Sequence, residues 1–148
     1  ATVPANTGTL VTTGSTAAVT PAMLSTGAPS WDSSGNLSFN SGYGSVATAY
    51  GCRAWVNFNG TGTVAIRASG NVSSITDNGT GDYTVNFTAA MPDTNYAVVT
   101  GAKENSGAGA NSSVLSPAVY NTGSVRLSTS NLNQQSFDFT FCNIAVFR

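Results

Sequence analysis

The chain has 148 residues, a formal net charge of −1, 7% charged and 41% hydrophobic residues, and no histidine. Charged side chains fall far below the roughly 25% of an average soluble protein, so polarity rests on uncharged Ser, Thr, Asn and Gly. This excludes the high-charge, low-hydrophobicity pattern of a disordered chain. It also argues against nucleic acid as a partner, because the five cations Arg53, Arg67, Lys103, Arg126 and Arg148 form no stripe along the sequence.

The length suits one domain, or one domain plus an arm. No run approaches the roughly 20 apolar residues of a membrane helix. The chain starts at Ala1 without a charged-then-apolar leader, which reads as a processed product or the end of a longer polypeptide. A near-neutral surface favours self-association, as in a protomer of an assembly.

Residues 1–50 are rich in small residues, and Asp32 is their only charged side chain. Thr20 as N-cap and Pro21 at the first helical position predict one helical turn over Thr20–Leu24, ended by Gly27 and Pro29. Asn36–Asn40 predicts a short strand. The segment reads as an extended arm or linker that packs on a neighbouring subunit, or as a flexible leader.

From Cys52 onward, Gly and Asn punctuate the chain at the 8–12-residue spacing of a sandwich or barrel. The pattern predicts strands over Cys52–Asn59, Thr63–Ser69, Val72–Thr76, Asp82–Thr88, Asn95–Ala102, Ser113–Tyr120, Ser124–Ser130 and Ser136–Phe147. In Asp82–Thr88, Tyr83, Val85 and Phe87 share one face. In the last strand, Phe137, Phe139 and Phe141 are expected to share a face with Ala145 and Phe147, opposite Cys142, Ile144 and Val146. With both faces apolar, that strand is expected at a sheet centre or under a subunit contact. The predicted fold class is therefore all-β: an antiparallel β-sandwich of about eight strands over residues 51–148, preceded by an extended N-terminal arm over 1–50.

The lack of histidine removes the usual Ser-His-Asp and Cys-His machinery and the commonest zinc ligand. Cys52 and Cys142 lie about 90 residues apart. A bridge between them would add up to ~4.5 kcal/mol in the chain-entropy model, and two buried free thiols are the alternative. A carboxylate pair drawn from Asp32, Asp77, Asp82, Asp93, Glu104 and Asp138 would be needed for glycoside hydrolysis. Most of these lie in or beside turns, where Asp bonds to the local backbone.

The Asp77–Asp82 run has oxygens and glycines but lacks the terminal bidentate Glu of a calcium loop, and a hairpin turn explains it more simply. No metal, cofactor or catalytic residue is assigned. The several Asn-x-Ser/Thr triplets follow from composition.

Aromatics offer recognition chemistry. Trp31, Tyr43, Tyr50, Trp55, Tyr96 and Tyr120 are of a type that stacks on sugar rings, with Asn and Ser supplying hydrogen bonds. Trp55 lies mid-strand and is expected in the core. The long connection after Lys103 reads as a binding loop or a solvated connector. The ligand-binding candidates are Lys103, Glu104, Asn105, Asn111 and Tyr120, with the turns at Asn59–Thr61 and Asp77–Gly81.

The run RAWVNFNGTGTVAIRASGNVSSITDNGTGDYTVNFTAAMPDTNYAVV (Arg53–Val99) resembles a C-terminal β domain of bacteriophage tail fibre proteins. The Thr20–Trp31 segment is similar to lead-in segments of phage structural proteins, and Asn143–Arg148 to their chain ends. Lys103–Asn133 departs most from the pattern. The resemblance implies a virion fibre protein, homotrimeric and associated with other virion proteins. Its terminal domain would contact the host surface, although the resemblance supplies no catalytic or ligand-binding residue set. Together with the residue pattern, the expected function is non-enzymatic adhesion to a bacterial surface glycan or outer-membrane protein, with no nucleic-acid partner. A structural virion part, such as a capsid decoration or fibre connector, is the alternative, with a depolymerase as the third reading.

Overall fold

The computed structural model describes residues 29–40, 45–103, 114–131 and 133–148. The chain divides into two compact units, Ala1–Tyr50 and Gly51–Arg148. The described residues contain no helix; their eleven strands form three antiparallel sheets.

In the first unit, β1 (Ser30–Trp31), β2 (Leu37–Phe39) and β3 (Ala47–Thr48) form a small sheet in that order. Asp32 makes the first reversal. Its Oδ1 accepts the backbone N–H of Ser34 (2.9 Å) and of Asn36 (2.8 Å), and its Oδ2 accepts the Asn36 side-chain amide. This is the local competition with the ladder that makes Asp a turn former. The Asn36 amide is also the main reason the Asp32 carboxyl sits below its ordinary range. The strand expected over Asn36–Asn40 is β2, whereas the helical turn expected over Thr20–Leu24 and Tyr43 lie outside the described residues.

The second unit has eight strands: β4 (Cys52–Asn59), β5 (Ala65–Gly70), β6 (Val72–Gly79), β7 (Asp82–Phe87), β8 (Ala97–Lys103), β9 (Val114–Asn121), β10 (Ser124–Ser130) and β11 (Phe141–Phe147). They form two four-stranded sheets, ordered β5-β4-β11-β8 and β6-β7-β10-β9. The first and last strands, β4 and β11, pair at the centre of one sheet. β7 and β10 pair at the centre of the other. Pro117 falls in β9, an edge strand, where its missing N–H costs no ladder bond.

Period-2 alternation sends one side of each central strand inward. Ala54, Val56 and Phe58 of β4, Tyr83, Val85 and Phe87 of β7, Val125 and Leu127 of β10, and Cys142, Ile144 and Val146 of β11 belong to one buried cluster. Each large apolar side chain so buried contributes about 1.5–3 kcal/mol. The Phe58 ring meets the Tyr83 ring edge-on, centroids 5.3 Å apart, so the contact joins the two sheets. At the sheet edges, Thr100 Oγ1 of β8 donates to the Leu115 carbonyl of β9 at 2.7 Å.

The last segment corrects a sequence expectation. Phe139 does not share an outer face with Phe141; it is fully buried with Cys142, Ile144 and Val146. The strand begins only at Phe141. Ser136 makes an isolated bridge to Ser130, and the chain bends at Thr140, adding one residue between the inward positions 139 and 142. That extra residue reverses the alternation, so a single continuous strand predicts the wrong face for Phe139.

Tyr83 ties one end of the unit together. Its hydroxyl proton is shared between the Gly60 carbonyl at 2.8 Å and the Asp138 carboxylate at 2.5 Å. Asp138 Oδ1 also accepts the Gly81 N–H at 2.7 Å, and the Gly60 N–H donates to the Phe139 carbonyl at 2.9 Å. A Cβ at Gly60 would stand 2.8 Å from the Tyr83 oxygen and 2.9 Å from the Phe139 carbonyl, so only glycine fits there. Burial, followed by the adjacent Asp138 carboxylate, holds the Tyr83 phenol far above its ordinary range. It remains a donor at any physiological pH.

The thiols are unbridged: Cys52 is exposed and Cys142 buried. Cys52 faces Phe147 in the β4–β11 ladder and Cys142 faces Phe58, which separates the two by about 17 Å along the strands. That is far beyond disulfide reach. Burial pushes the Cys142 thiol up to about 11.

Two outcomes follow from this packing. Tyr83→Phe removes the donor that bridges the Gly60 carbonyl and Asp138, and should cost about 1–3 kcal/mol in urea unfolding with the m-value unchanged. A thiol-specific disulfide reagent should titrate one cysteine in the native protein and two in denaturant. Protection of both thiols in unfolded, unreduced protein would reveal a bridge and contradict the fold.

Candidate binding surface

Strand directions divide the second unit into two ends. The chain enters at Cys52, which lies beside Phe147. The opposite end holds Asn59, Phe141 and Lys103, which neighbour one another across β4, β11 and β8. The Tyr83 knot brings the Gly60 and Gly81 turns and the Asp138 segment to this far end. β8 finishes there at Lys103 and β9 starts there at Val114.

The sequence candidates separate accordingly. Lys103 is exposed at the far end. Glu104, Asn105 and Asn111 lie outside the described residues. Tyr120 is six residues along β9 from Val114, so it sits about 20 Å away, near the entry end. There its ring lies 5.1 Å from that of Tyr96, whose hydroxyl is shared between the Asn121 and Ser124 carbonyls. Tyr96, an aromatic the sequence offers for recognition, is buried, and burial raises its phenol above its ordinary range. The structure thus does not bring Lys103 and Tyr120 together.

Trp55 moves the other way. It was expected in the core, yet it is 43% exposed on the outer face of β4. Ala54 and Val56 take the inward positions, and strand alternation leaves Trp55 no other direction. Its indole lies over Gly70 of β5, where a Cβ would overlap it. In the ladder it stands beside Ala145, which faces Val99, itself 61% exposed. A shallow depression of about 300 Å³ opens along this row, where Gly101 leaves a gap beside Val99, Asn143 and Ala145.

Toward the far end the same face becomes polar and cationic. The Arg67 guanidinium stacks 4.3 Å above the Phe141 ring. It also donates to Asn57 Oδ1 at 3.3 Å and Asn59 Oδ1 at 3.4 Å. Asn59 is itself held, because its amide donates to the Thr61 and Thr63 carbonyls and its Oδ1 accepts the Thr61 hydroxyl. The Asn59–Thr61 turn, a candidate from sequence, therefore orients an arginine. The Asp77–Gly81 turn is closed by Asp77, which accepts the Gly79 N–H at 2.9 Å.

The described carboxylates have local partners. Asp82 forms a two-pronged pair with Arg126, and Asp93 does the same with Arg148. Each arginine, through its hydrogen bonds first, lowers its carboxyl partner below the ordinary 3.8. Asp138 belongs to the Tyr83 knot. None of these arrangements places two free carboxyls across a cleft. Among the described residues, no group of three or more His, Cys, Asp or Glu side chains could hold a metal ion.

The fold and this face define an all-β protein with an uncovered aromatic and cationic sheet surface. No protein-family model matches the chain, and no curated protein or solved structure matches it either.

The two ion pairs set an acid-side dependence. A carboxyl lowered in the folded state adds stability above its unfolded value near 3.8, and that stability is lost as pH falls through the lower folded value. The melting temperature should decline below about pH 4. Arg126→Gln removes the Asp82 share, so its deficit against the parent should be largest near pH 7 and shrink as pH falls. A deficit that grows on acidification would contradict the pairing.

Proposed function

We propose that the chain is a non-enzymatic adhesion protein of the bacteriophage tail-fibre kind. In this reading residues 51–148 are a β-sandwich tip and residues 1–50 a low-charge arm in a homotrimer. The tip binds a bacterial surface glycan or outer-membrane protein while the rest of the assembly joins other virion proteins. The observation that carries the reading is the outer face of β5-β4-β11-β8. There Trp55 and Val99 stand uncovered beside Asn57 and Asn143, on rigid strands and not on a loop.

Two further features support it. A flat aromatic surface flanked by amides suits a sugar ring better than it suits a reacting bond buried in a cleft. The described carboxylates are committed to turns, ion pairs and the Tyr83 knot, which favours binding over hydrolysis. A weak site repeated three times in a trimer gains strength through effective concentration and needs no deep pocket.

Binding of the fluorescently labelled protein to a panel of bacterial strains tests the reading. The expected result is saturable binding to some strains, reduced severalfold by Trp55→Ala while the melting temperature changes little. Absence of saturable binding, with incorporation into capsids or mid-fibre positions, would overturn it in favour of a structural virion part. Sugar release from host polysaccharide would return the depolymerase reading.

A further inference from the structure

Charge is divided unequally between the two sheets of the second unit. β4, β5, β8 and β11 contain Arg53, Arg67 and Lys103 and not one carboxylate. β6, β7, β9 and β10 contain Asp77, Asp82 and Arg126. The two remaining arginines, Arg126 and Arg148, are neutralised by Asp82 and Asp93. Arg53, Arg67 and Lys103 are exposed, and no described carboxylate forms an ion pair with any of them. In a chain with a net charge of −1, the unpaired cations thus converge on the one face that also carries Trp55 and Phe141.

We infer that this face binds an acidic polysaccharide, with its anionic groups on Arg67 and Lys103 and a sugar ring on Trp55. The inference rests on the adhesion reading for its biological setting and adds the charge class of the ligand. Two of the five Arg67 donors point to Asn57 and Asn59, which leaves three for a carboxylate or phosphate. The Phe141 ring below and the locked Asn59 amide hold the guanidinium in place, so little side-chain entropy is lost on binding. Lys103, the ladder neighbour of Phe141, flanks the same spot as a second cation. Arg53 lies about 20 Å from Asn59 along β4, beside Trp55, so a chain laid along the strands meets cation, ring and cation in turn.

Charge complementarity also decides against a second copy of this chain as the occupant. Two-fold pairing of this face would set Arg53, Arg67 and Lys103 of one copy against the same three of the other, with no carboxylate in the four strands to offset them.

Titration of the full chain against four immobilised polymers tests the inference: polygalacturonate for carboxylate, a phosphomannan for phosphate, dextran as the neutral control, and duplex DNA. The expected result is binding to one or both acidic polymers and none to dextran, weakened at least about tenfold by Arg67→Gln with Lys103→Gln. It should also weaken by a further severalfold in 0.5 M salt, where screening lengths contract. Arg126→Gln, on the other sheet, should bind like the parent, and melting curves confirm that each variant folds.

The carboxylate and phosphate arms identify which anion is preferred. Equal binding to dextran would overturn the inference, as would parent-like binding by the double variant. DNA binding as tight as the acidic polymers and insensitive to Trp55→Ala would reduce the face to an unspecific cation patch and overturn it too. Saturable cell binding that is unmoved by the double variant would sink this inference while leaving adhesion standing. Acidic-polymer binding without any cell binding would do the reverse.

Discussion

One end of the second unit is organised around the buried phenol of Tyr83. Tyr83 has no solvent exposure, so its hydroxyl must find partners inside the protein. Those partners are the backbone of the β4–β5 turn and the side chain of Asp138, on the segment that leads into β11. Asp138 in turn accepts from the turn between β6 and β7. One hydroxyl and one carboxylate therefore fasten three connections that come from both sheets. Thr129 reinforces the arrangement nearby, as its buried hydroxyl donates to the Phe137 carbonyl and its backbone N–H to the Gly81 carbonyl. If this polar knot were loosened, the Asn59–Thr63 turn would lose its anchor at Gly60, and with it the support under Arg67.

Topology explains why the charge pattern stays hidden until the strands are assembled. β4 and β11 are separated by most of the unit's sequence yet lie side by side, while β5 and β8 fill the flanks. Arg53, Arg67 and Lys103 read along the chain as isolated cations. Placed in their sheet they occupy one face. Such non-local pairing slows folding, because loops must close before the central ladder forms.

Much of the strand map was legible because local rules agree with the global fold. Ser124–Ser130 is a strand at the bounds its sequence pattern gives, and Tyr83, Val85 and Phe87 point inward as their alternation demands. Three features were not legible, each for a physical reason. A mid-strand position alone does not say which face Trp55 takes; its inward neighbours Ala54 and Val56, small as they are, decide the direction. The face of Phe139 depends on one extra residue at Thr140, which no pattern of residue types announces. Sheet partnership cannot be read from strands alone, so the distance between Tyr120 and Lys103 could not be foreseen from their shared place in the Lys103–Asn133 stretch.

The misplaced tryptophan changes where recognition is sought. A sequence this poor in charge invites attention to its long connection after Lys103, since loops on β scaffolds commonly bind. The strands β4, β11 and β8 make a stronger claim. Asn57, Asn143 and Gly101 form a row across β4, β11 and β8, with Trp55, Ala145 and Val99 on one side and Arg67, Phe141 and Lys103 on the other. These positions are held by ladder hydrogen bonds and by side chains that are themselves held, so the surface is shaped before any ligand arrives. A loop must be ordered on binding, at about 1–2 kcal/mol for each residue fixed. A sheet face carries no such cost, and a weak, extended ligand is best met by a surface that gives up little entropy to hold it.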